Sequence, residues 1–375
     1  MCCFASHRAG RYTGPSRPFR AMKTQTIMIM CTACMLLAAC RSNPHYNPAK
    51  SHHTEDGFRN NYPQPPRQSF WKWQWDRWTK GYPEDPKQGY GFPLLKPDAA
   101  FLAANRDEPT LTWIGHASFL LQVGGVNVLT DPHMTERASP LSFAGPKRYV
   151  ASPFDFDSLP HADVVVISHN HYDHLDLKTV SQLNRQKGGP PMFFVPLGLK
   201  EWFKDQGIDN VTELDWWDSA EQMGLKLTLA PVQHWSSRTP WDRNKTLWGG
   251  WVIEHPSLRF FFGGDYGYSP DLADIGARFG SFDLAMLPIG AYDPRWFMSV
   301  MHANPEESVR AQQNLHARYA VAMHWGTFRL TDELLDEPPR KLADALAKAG
   351  VPPERFFVMK HGETRKLDFL ESDPK

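Results

Sequence analysis

From Leu111 onward the chain alternates short apolar runs with segments in which polar and apolar residues mix at helical spacing. Leu111–Gln122 and Val126–Thr130 flank Gly124-Gly125 and predict a hairpin. Asp163–Ser168 is apolar almost throughout, as a strand covered on both faces would be. Further strands are predicted at Met192–Pro196, Leu225–Val232, Gly249–Glu254, Arg259–Gly263, Leu284–Pro288 and Ala320–His324. Helices are predicted at Leu175–Arg185, Glu306–Arg318 and Arg340–Ala349. There is no internal repeat and no Gly- or Ser-rich linker, so the order reads as one α/β body with two sheets packed between helices.

Ahead of this body the pattern changes. Lys23 follows Met22, and Ile27–Ala39 is a thirteen-residue apolar run, too short to span a bilayer as a helix. It ends in Leu37-Ala38-Ala39-Cys40, which resembles a bacterial lipobox, where the signal is cut before a cysteine that is then acylated. Residues 1–39 are therefore expected to be a signal region, with Met22 as an alternative start. Residues 40–69, rich in Pro, Asn, Ser and His, are expected to be a lipid-anchored tether, and 70–375 the folded body. Arg41 after the cysteine resembles the sorting pattern of outer-membrane lipoproteins. The expected location is the bacterial cell envelope, on the outer membrane facing the periplasm. The aromatic cluster Phe70, Trp71, Trp73, Trp75 and Trp78 fits two roles, an interfacial membrane contact or packing onto the core. Interleaved charges favour packing.

Composition narrows the chemistry. All five cysteines lie at or before Cys40, so the body has neither disulfides nor thiolate ligands, and a metal there must sit on His and carboxylates. Five basic residues and no acidic ones precede Cys40, leaving 36 basic against 41 acidic residues beyond it. That balance gives no reason to expect a nucleic-acid partner.

The segment Ser168-His169-Asn170-His171-Tyr172-Asp173-His174-Leu175-Asp176 places three imidazoles and a carboxylate in one loop after a buried strand. Crowded together without partners they would repel when protonated, whereas a cation satisfies all of them. Residues two apart in extended chain point the same way, so His169 and His171 can grip one metal while Asp173 and His174 face a second. His234, Asp265 and His324 each end another predicted strand and are candidates for the remaining ligands.

These motifs resemble the metallo-β-lactamase superfamily, whose fold is an αβ/βα sandwich with the metals at one sheet edge. More narrowly, the chain resembles the N-acylphosphatidylethanolamine-hydrolysing phospholipase D family. That likeness is carried by Trp113-Ile114-Gly115-His116-Ala117-Ser118, Thr130-Asp131-Pro132, the His169–Asp176 loop, Phe262-Gly263-Gly264-Asp265, Leu287–Tyr292, Pro294–Met298 and His324–Phe328. The resemblance implies one zinc on His169, His171 and His234, a second on Asp173, His174 and His324, and Asp265 bridging them. It thus makes Asp265, Asp173 and His174 the catalytic centre, with iron or manganese as alternative metals. His116 and Asp131 are expected to orient ligands or simply to end strands. Tyr172, Tyr292, Arg295 and His302 are candidate substrate contacts, although Arg295 also reads as a packing residue and His302 as part of a helix cap.

Two zinc ions sharing a water would supply hydroxide at neutral pH to attack phosphorus. The expected reaction is hydrolysis of a membrane phospholipid, N-acylphosphatidylethanolamine giving phosphatidic acid and an N-acylethanolamine. The alternatives are hydrolysis of an amide, lactone or thioester in a soluble metabolite, and a non-catalytic zinc-storing lipoprotein. The full ligand set speaks against the last.

Overall fold

The computed structural model describes residues 43–372. The expected signal region, the alternative start at Met22 and the acylated Cys40 lie outside the described residues. Among the described residues no helix is long and apolar enough to cross a membrane.

A short ribbon, β1 (His53–Thr54) and β2 (Gly57–Phe58), precedes helix α1 (Phe70–Lys80) and helix α2 (Ala99–Ala104). The first large sheet contains β3 (Thr110–Gly115), β4 (Ser118–Val123), β5 (Val126–Thr130), β6 (Val164–Val166), β7 (Met192–Pro196), β8 (Val211–Leu214) and β16 (Thr364–Lys366), ordered β16-β3-β4-β5-β6-β7-β8. The second contains β9 (Ser219–Gln222), β10 (Leu225–Ala230), β11 (Gly250–Glu254), β12 (Arg259–Phe262), β13 (Phe282–Pro288), β14 (Ala317–Met323) and β15 (Phe356–Phe357), ordered β15-β14-β13-β12-β11-β10-β9. Helices α3 (Leu177–Leu183) and α4 (Lys200–Asp205) cover the first sheet, and α5 (Asp271–Phe279), α7 (Pro305–Asn314) and α8 (Glu337–Ala349) pack on the second; α6 (Arg295–Met298) is a single turn. The architecture is the expected αβ/βα sandwich.

Strand periodicity explains the layering. Val164 and Val166 of β6 join the core between the sheets, while Val165 packs with Val180, Leu183 and Phe203 beneath α3 and α4. Because both faces are covered, every residue of β3 to β6 is buried. The pairing directions then position the site. In the first sheet β3, β5 and β6 run the same way. In the second, β10, β12 and β14 do so. His116, Asp131 and His169 follow the carboxyl ends of the first set, and His234, Asp265 and His324 those of the second.

Several expectations change. Leu111–Gln122 is not one hairpin arm: the chain turns at His116 (φ 56°), making β3, β4 and β5 a three-stranded meander. The helix expected at Glu306–Arg318 runs from Pro305 to Asn314. Asn304 caps it reciprocally with Glu307, and Ala317 already begins β14. The helix expected from Arg340 starts at Glu337, since Pro338 and Pro339 fit a first turn.

The stretch expected to be tether is partly seated on the body. His52, His53 and Phe58 are buried, and the Asp215 carboxylate accepts from His52 Nε2 (2.7 Å), His53 Nε2 (2.8 Å) and Lys50 Nζ (2.6 Å). The packing role expected of the aromatic cluster holds for Trp73 alone, which is buried against Phe297. The other four rings are exposed.

Candidate metal centre

Asp131 organises the loop that leaves β6. Its Oδ1 accepts from the Ser168 N–H (2.6 Å), and its Oδ2 accepts from Ser168 Oγ (2.5 Å) and His174 Nδ1 (2.6 Å). Ser168 Oγ in turn accepts from His169 Nδ1 (2.8 Å). One buried carboxylate therefore fixes the tautomer of two imidazoles and leaves both Nε2 atoms facing inward. His234 is fixed in the same way, its Nδ1 donating to the Met301 carbonyl (2.9 Å).

Two ligand groups result. His169 Nε2 lies 2.8 Å from His171 Nδ1, which lies 3.3 Å from His234 Nε2. Metal–nitrogen bonds of about 2.0–2.1 Å in a tetrahedral site separate neighbouring nitrogens by about 3.3 Å. In the second group the Asp173 Oδ2 lies 2.9 Å from His116 Nε2, 3.3 Å from His174 Nε2 and 3.4 Å from His324 Nε2. Asp265 joins the groups: its Oδ2 is 3.2 Å from His174 Nε2 and 3.9 Å from His234 Nε2, and its Oδ1 is 3.1 Å from His324 Nε2. All seven residues expected to ligate metal are thus brought together, with Asp265 between the two sets.

The donors fit cations. His174 Nε2, His324 Nε2 and Asp265 Oδ1, which face one another in the centre, are buried with no hydrogen-bond partner. Burial and neighbouring imidazoles push His169 well below its ordinary range, and burial pushes His171 down to about 3. Neutral imidazole is the form that ligates. Although burial opposes ionisation, His174 holds both Asp173 and Asp265 well below the usual carboxylate range. Against the same opposition, Asp265 leads in raising His174 well above the ordinary imidazole range and His324 to about 9. Positive charge is what these carboxylates draw in, and divalent metals supply it without protonating a ligand.

The backbone is strained where this geometry is set. His116, Asp131 and His324 have φ of 56°, 32° and 62°, left-handed values that are unfavourable for residues with a Cβ and that cluster at functional sites. Gly264 (φ 56°), just before Asp265, has room for no side chain, since a Cβ there would sit 2.5 Å from that of Ser168. The two sheets' loops touch at that point.

The remaining candidates separate. His116 and Asp131 both bond to candidate ligands or their loop: His116 Nε2 meets Asp173, and Asp131 accepts from His174 and Ser168. His302 lines the centre, its Nδ1 unpartnered and 3.7 Å from Asp265 Oδ2; it is not part of the helix cap, which Asn304 makes. Tyr172 donates its hydroxyl to the Arg238 carbonyl (3.0 Å) and lines a cavity of about 740 Å³ with Leu175, Leu177, Trp202 and Arg238. Tyr292 is not free for substrate, since its hydroxyl donates to Glu337 (2.7 Å). Arg295 is likewise engaged: it pairs with Glu307 (2.7 Å) and donates to the His302 carbonyl (2.8 Å), so it braces the rim instead of meeting a phosphate.

Other residues had no motif to reveal them. Asn60 pairs with the backbone of His234. Arg238 clamps the ligand loop by donating to the carbonyls of Asn170 and Leu175, both at 2.8 Å. Trp235 stands edge-on to His171 with ring centres 4.3 Å apart, and the Arg243 guanidinium lies 3.9 Å over the Trp235 ring. Arg243 sits in the polar stretch Asp242-Arg243-Asn244-Lys245, which offers no signal for it.

Residues 126–325 match the model of the beta-lactamase superfamily domain, and the fold and the clustered His and Asp ligands place the chain among the metal-dependent hydrolases of that superfamily. The chain is 43% identical over 267 residues to N-acyl-phosphatidylethanolamine-hydrolyzing phospholipase D 1 of Caenorhabditis elegans, a match covering 67% of this chain and 74% of that one. It is 35% identical to the mitochondrial N-acyl-phosphatidylethanolamine-hydrolyzing phospholipase D of Saccharomyces cerevisiae, covering 68% of this chain but 56% of the yeast protein. It belongs to that phospholipase D family within the superfamily. Among solved structures, an isothiocyanate hydrolase from Delia radicum gut bacteria shares the fold, with a TM-score of 0.55 at 21% identity over 68% of this chain and 98% of that one.

Proposed function

We propose that the protein is a phosphodiesterase of the phospholipase D type, which hydrolyses N-acylphosphatidylethanolamine to phosphatidic acid and an N-acylethanolamine with two zinc ions bound. One observation carries the reading: Asp265 stands between a three-imidazole group and a carboxylate–imidazole group, so one residue serves both. The names of the nematode and yeast relatives support the substrate.

His169, His171 and His234 would hold one ion, Asp173, His174 and His324 the other, with Asp265 shared. Paired divalent metals supply hydroxide near neutral pH and offset charge building on phosphoryl oxygens. The chain's own residues do the rest. Asp131 and the Met301 carbonyl keep imidazole Nε2 atoms aimed inward, so the ligands need not reorganise during turnover. His302, at the rim with a free Nδ1, is placed to donate a hydrogen bond to a phosphoryl or leaving oxygen. Arg243, stacked on Trp235 beside His171, adds a positive charge where an anionic headgroup would approach. Acylation at Cys40 would tether the protein to the bacterial outer membrane, beside its substrate.

The test is product identification. Purified protein loaded with zinc is given N-acylphosphatidylethanolamine and, separately, diacylphosphatidylethanolamine. Release of N-acylethanolamine with phosphatidic acid supports the reading. Turnover of soluble amides, lactones or thioesters without phospholipid cleavage overturns it.

A further inference from the structure

Helix α1 carries two unlike aromatic faces. It is capped by Ser69, whose Oγ accepts from the Lys72 N–H (3.2 Å). Trp73 and Arg77, one turn apart, face the body: Trp73 stacks on Phe297 with ring centres 5.1 Å apart, and both its Nε1 (2.9 Å) and the Arg77 Nε (3.2 Å) reach the Asp332 carboxylate. Trp71, Trp75 and Trp78 follow the i, i+4, i+7 spacing of a single stripe and point away, with 78%, 61% and 77% of their surfaces exposed. Each indole offers roughly 200 Å² that a monomer in water leaves unburied at a cost. Three such rings in one stripe mark a surface meant for something else.

We infer that the Trp71–Trp75–Trp78 face of α1 is an interfacial anchor that seats the protein on an anionic lipid bilayer, independently of acylation at Cys40. The composition selects this partner. The stripe is all indole, with no Leu, Ile or Val, and indoles favour the headgroup zone, where the ring is apolar and its N–H stays wet. Lys72 and Lys80 share one carboxylate, Asp76 (2.6 and 3.0 Å), so this exposed end of the helix keeps a net positive charge, and with side chains 56% and 71% exposed the two amines can reach lipid phosphates. Eleven residues make about 16 Å of helix, which suits lying in the interface and not crossing it. Placement gives the purpose, which rests on the phospholipase reading. The inward face of α1 sits on Phe297, Met298 and Met301, and the Met301 carbonyl holds the ligand His234, so a bilayer against α1 lies beside the metal rim.

The test reads binding, not turnover. Full-length Cys40→Ser protein is mixed with vesicles of phosphatidylcholine, alone or with phosphatidylglycerol. The parent should co-sediment with the anionic vesicles with a blue shift in tryptophan emission, and W71S/W75S/W78S should bind at least about tenfold more weakly. K72Q/K80Q should lose only the salt-sensitive part of binding. Equal binding by the parent and the triple variant overturns the inference, as does a parent that binds no vesicle or whose stripe mutations instead convert a dimer to a monomer. Hydrolysis of a short-chain soluble phosphodiester, unchanged in the triple variant, keeps this outcome separate from failure of the catalytic reading.

Discussion

The side-chain amide of Asn60 pairs with both backbone groups of His234: its Oδ1 accepts from the His234 N–H (3.0 Å) and its Nδ2 donates to the His234 carbonyl (2.9 Å). A residue outside the two large sheets thus holds a candidate metal ligand the way a neighbouring strand would. The Trp248 Nε1 also donates to Asn60 Oδ1 (3.2 Å), fixing the amide's orientation. Asn60→Ala leaves two buried backbone groups unpaired, a loss of about 1–3 kcal/mol in stability. Metal affinity at the His169–His171–His234 group should fall about 10- to 100-fold, as for other residues that orient ligands. Competition with a chromophoric chelator measures this, and unchanged affinity at both sites would show that the pairing is incidental.

Asp265→Asn keeps the shape of the centre and removes the shared charge. The expected result is a folded protein that retains less than about two zinc ions per chain and has lost turnover. Metal analysis together with circular dichroism separates this outcome from unfolding. Full activity in the variant would refute the bridging assignment.

Asp131→Asn addresses how ligands are aimed. The amide can still receive a hydrogen bond at Oδ1 but cannot match the carboxylate that takes Ser168 and His174 together. Activity or metal affinity should drop about 10- to 100-fold with the ligands themselves intact. Excess zinc should recover part of the activity if the defect is ligand aim, and its failure to do so would place the loss elsewhere.

The legibility of this site follows from where its parts sit. His169, Asp173, His174, His234, Asp265 and His324 lie in or just beyond apolar runs whose ends mark strand termini, so the pattern that predicts the strands also predicts the ligands. The pairing directions that bring those ends to one edge are not written in any local segment. Asn60 could not be found, because its role depends on a contact 174 residues away. For Arg295, which the sequence offers both as a phosphate contact and as a packing residue, the structure shows the second: its partner is Glu307, a carboxylate of the helix cap. Helix α5 has a weak sequence signal because Gly276 interrupts it. A Cβ at Gly276 would lie 2.0 Å from the Asn314 carbonyl oxygen, so close packing against α7 demands the glycine that weakens the helical signal.

Arg295 and Glu307 should therefore act as a structural pair. Arg295→Gln and Glu307→Gln are each expected to destabilise the α6–α7 rim, and the double variant to cost less than the sum of the two. KM for a phosphodiester should rise no more in Arg295→Gln than in Glu307→Gln. A rise confined to the arginine variant would restore a direct phosphate contact.

Asp215 latches the N-terminal segment, and its response to pH has a definite sign. Burial opposes its ionisation, but hydrogen bonds from His52 and Lys50 outweigh burial and hold the carboxyl well below its usual range. The unfolded carboxyl titrates near about 4. Between the two values the unlatched state binds more protons, so the latch strengthens as pH rises. Its contribution is complete above about pH 5 and fades as pH falls toward the folded value. At neutral pH, Asp215→Asn should therefore raise amide hydrogen exchange across residues 50–60 by roughly tenfold or more, corresponding to a lost hydrogen-bond network of about 1–3 kcal/mol. The parent should approach the variant only in acid. Identical exchange in both proteins at neutral pH would remove Asp215 as the latch and leave the burial of Phe58 to hold the segment.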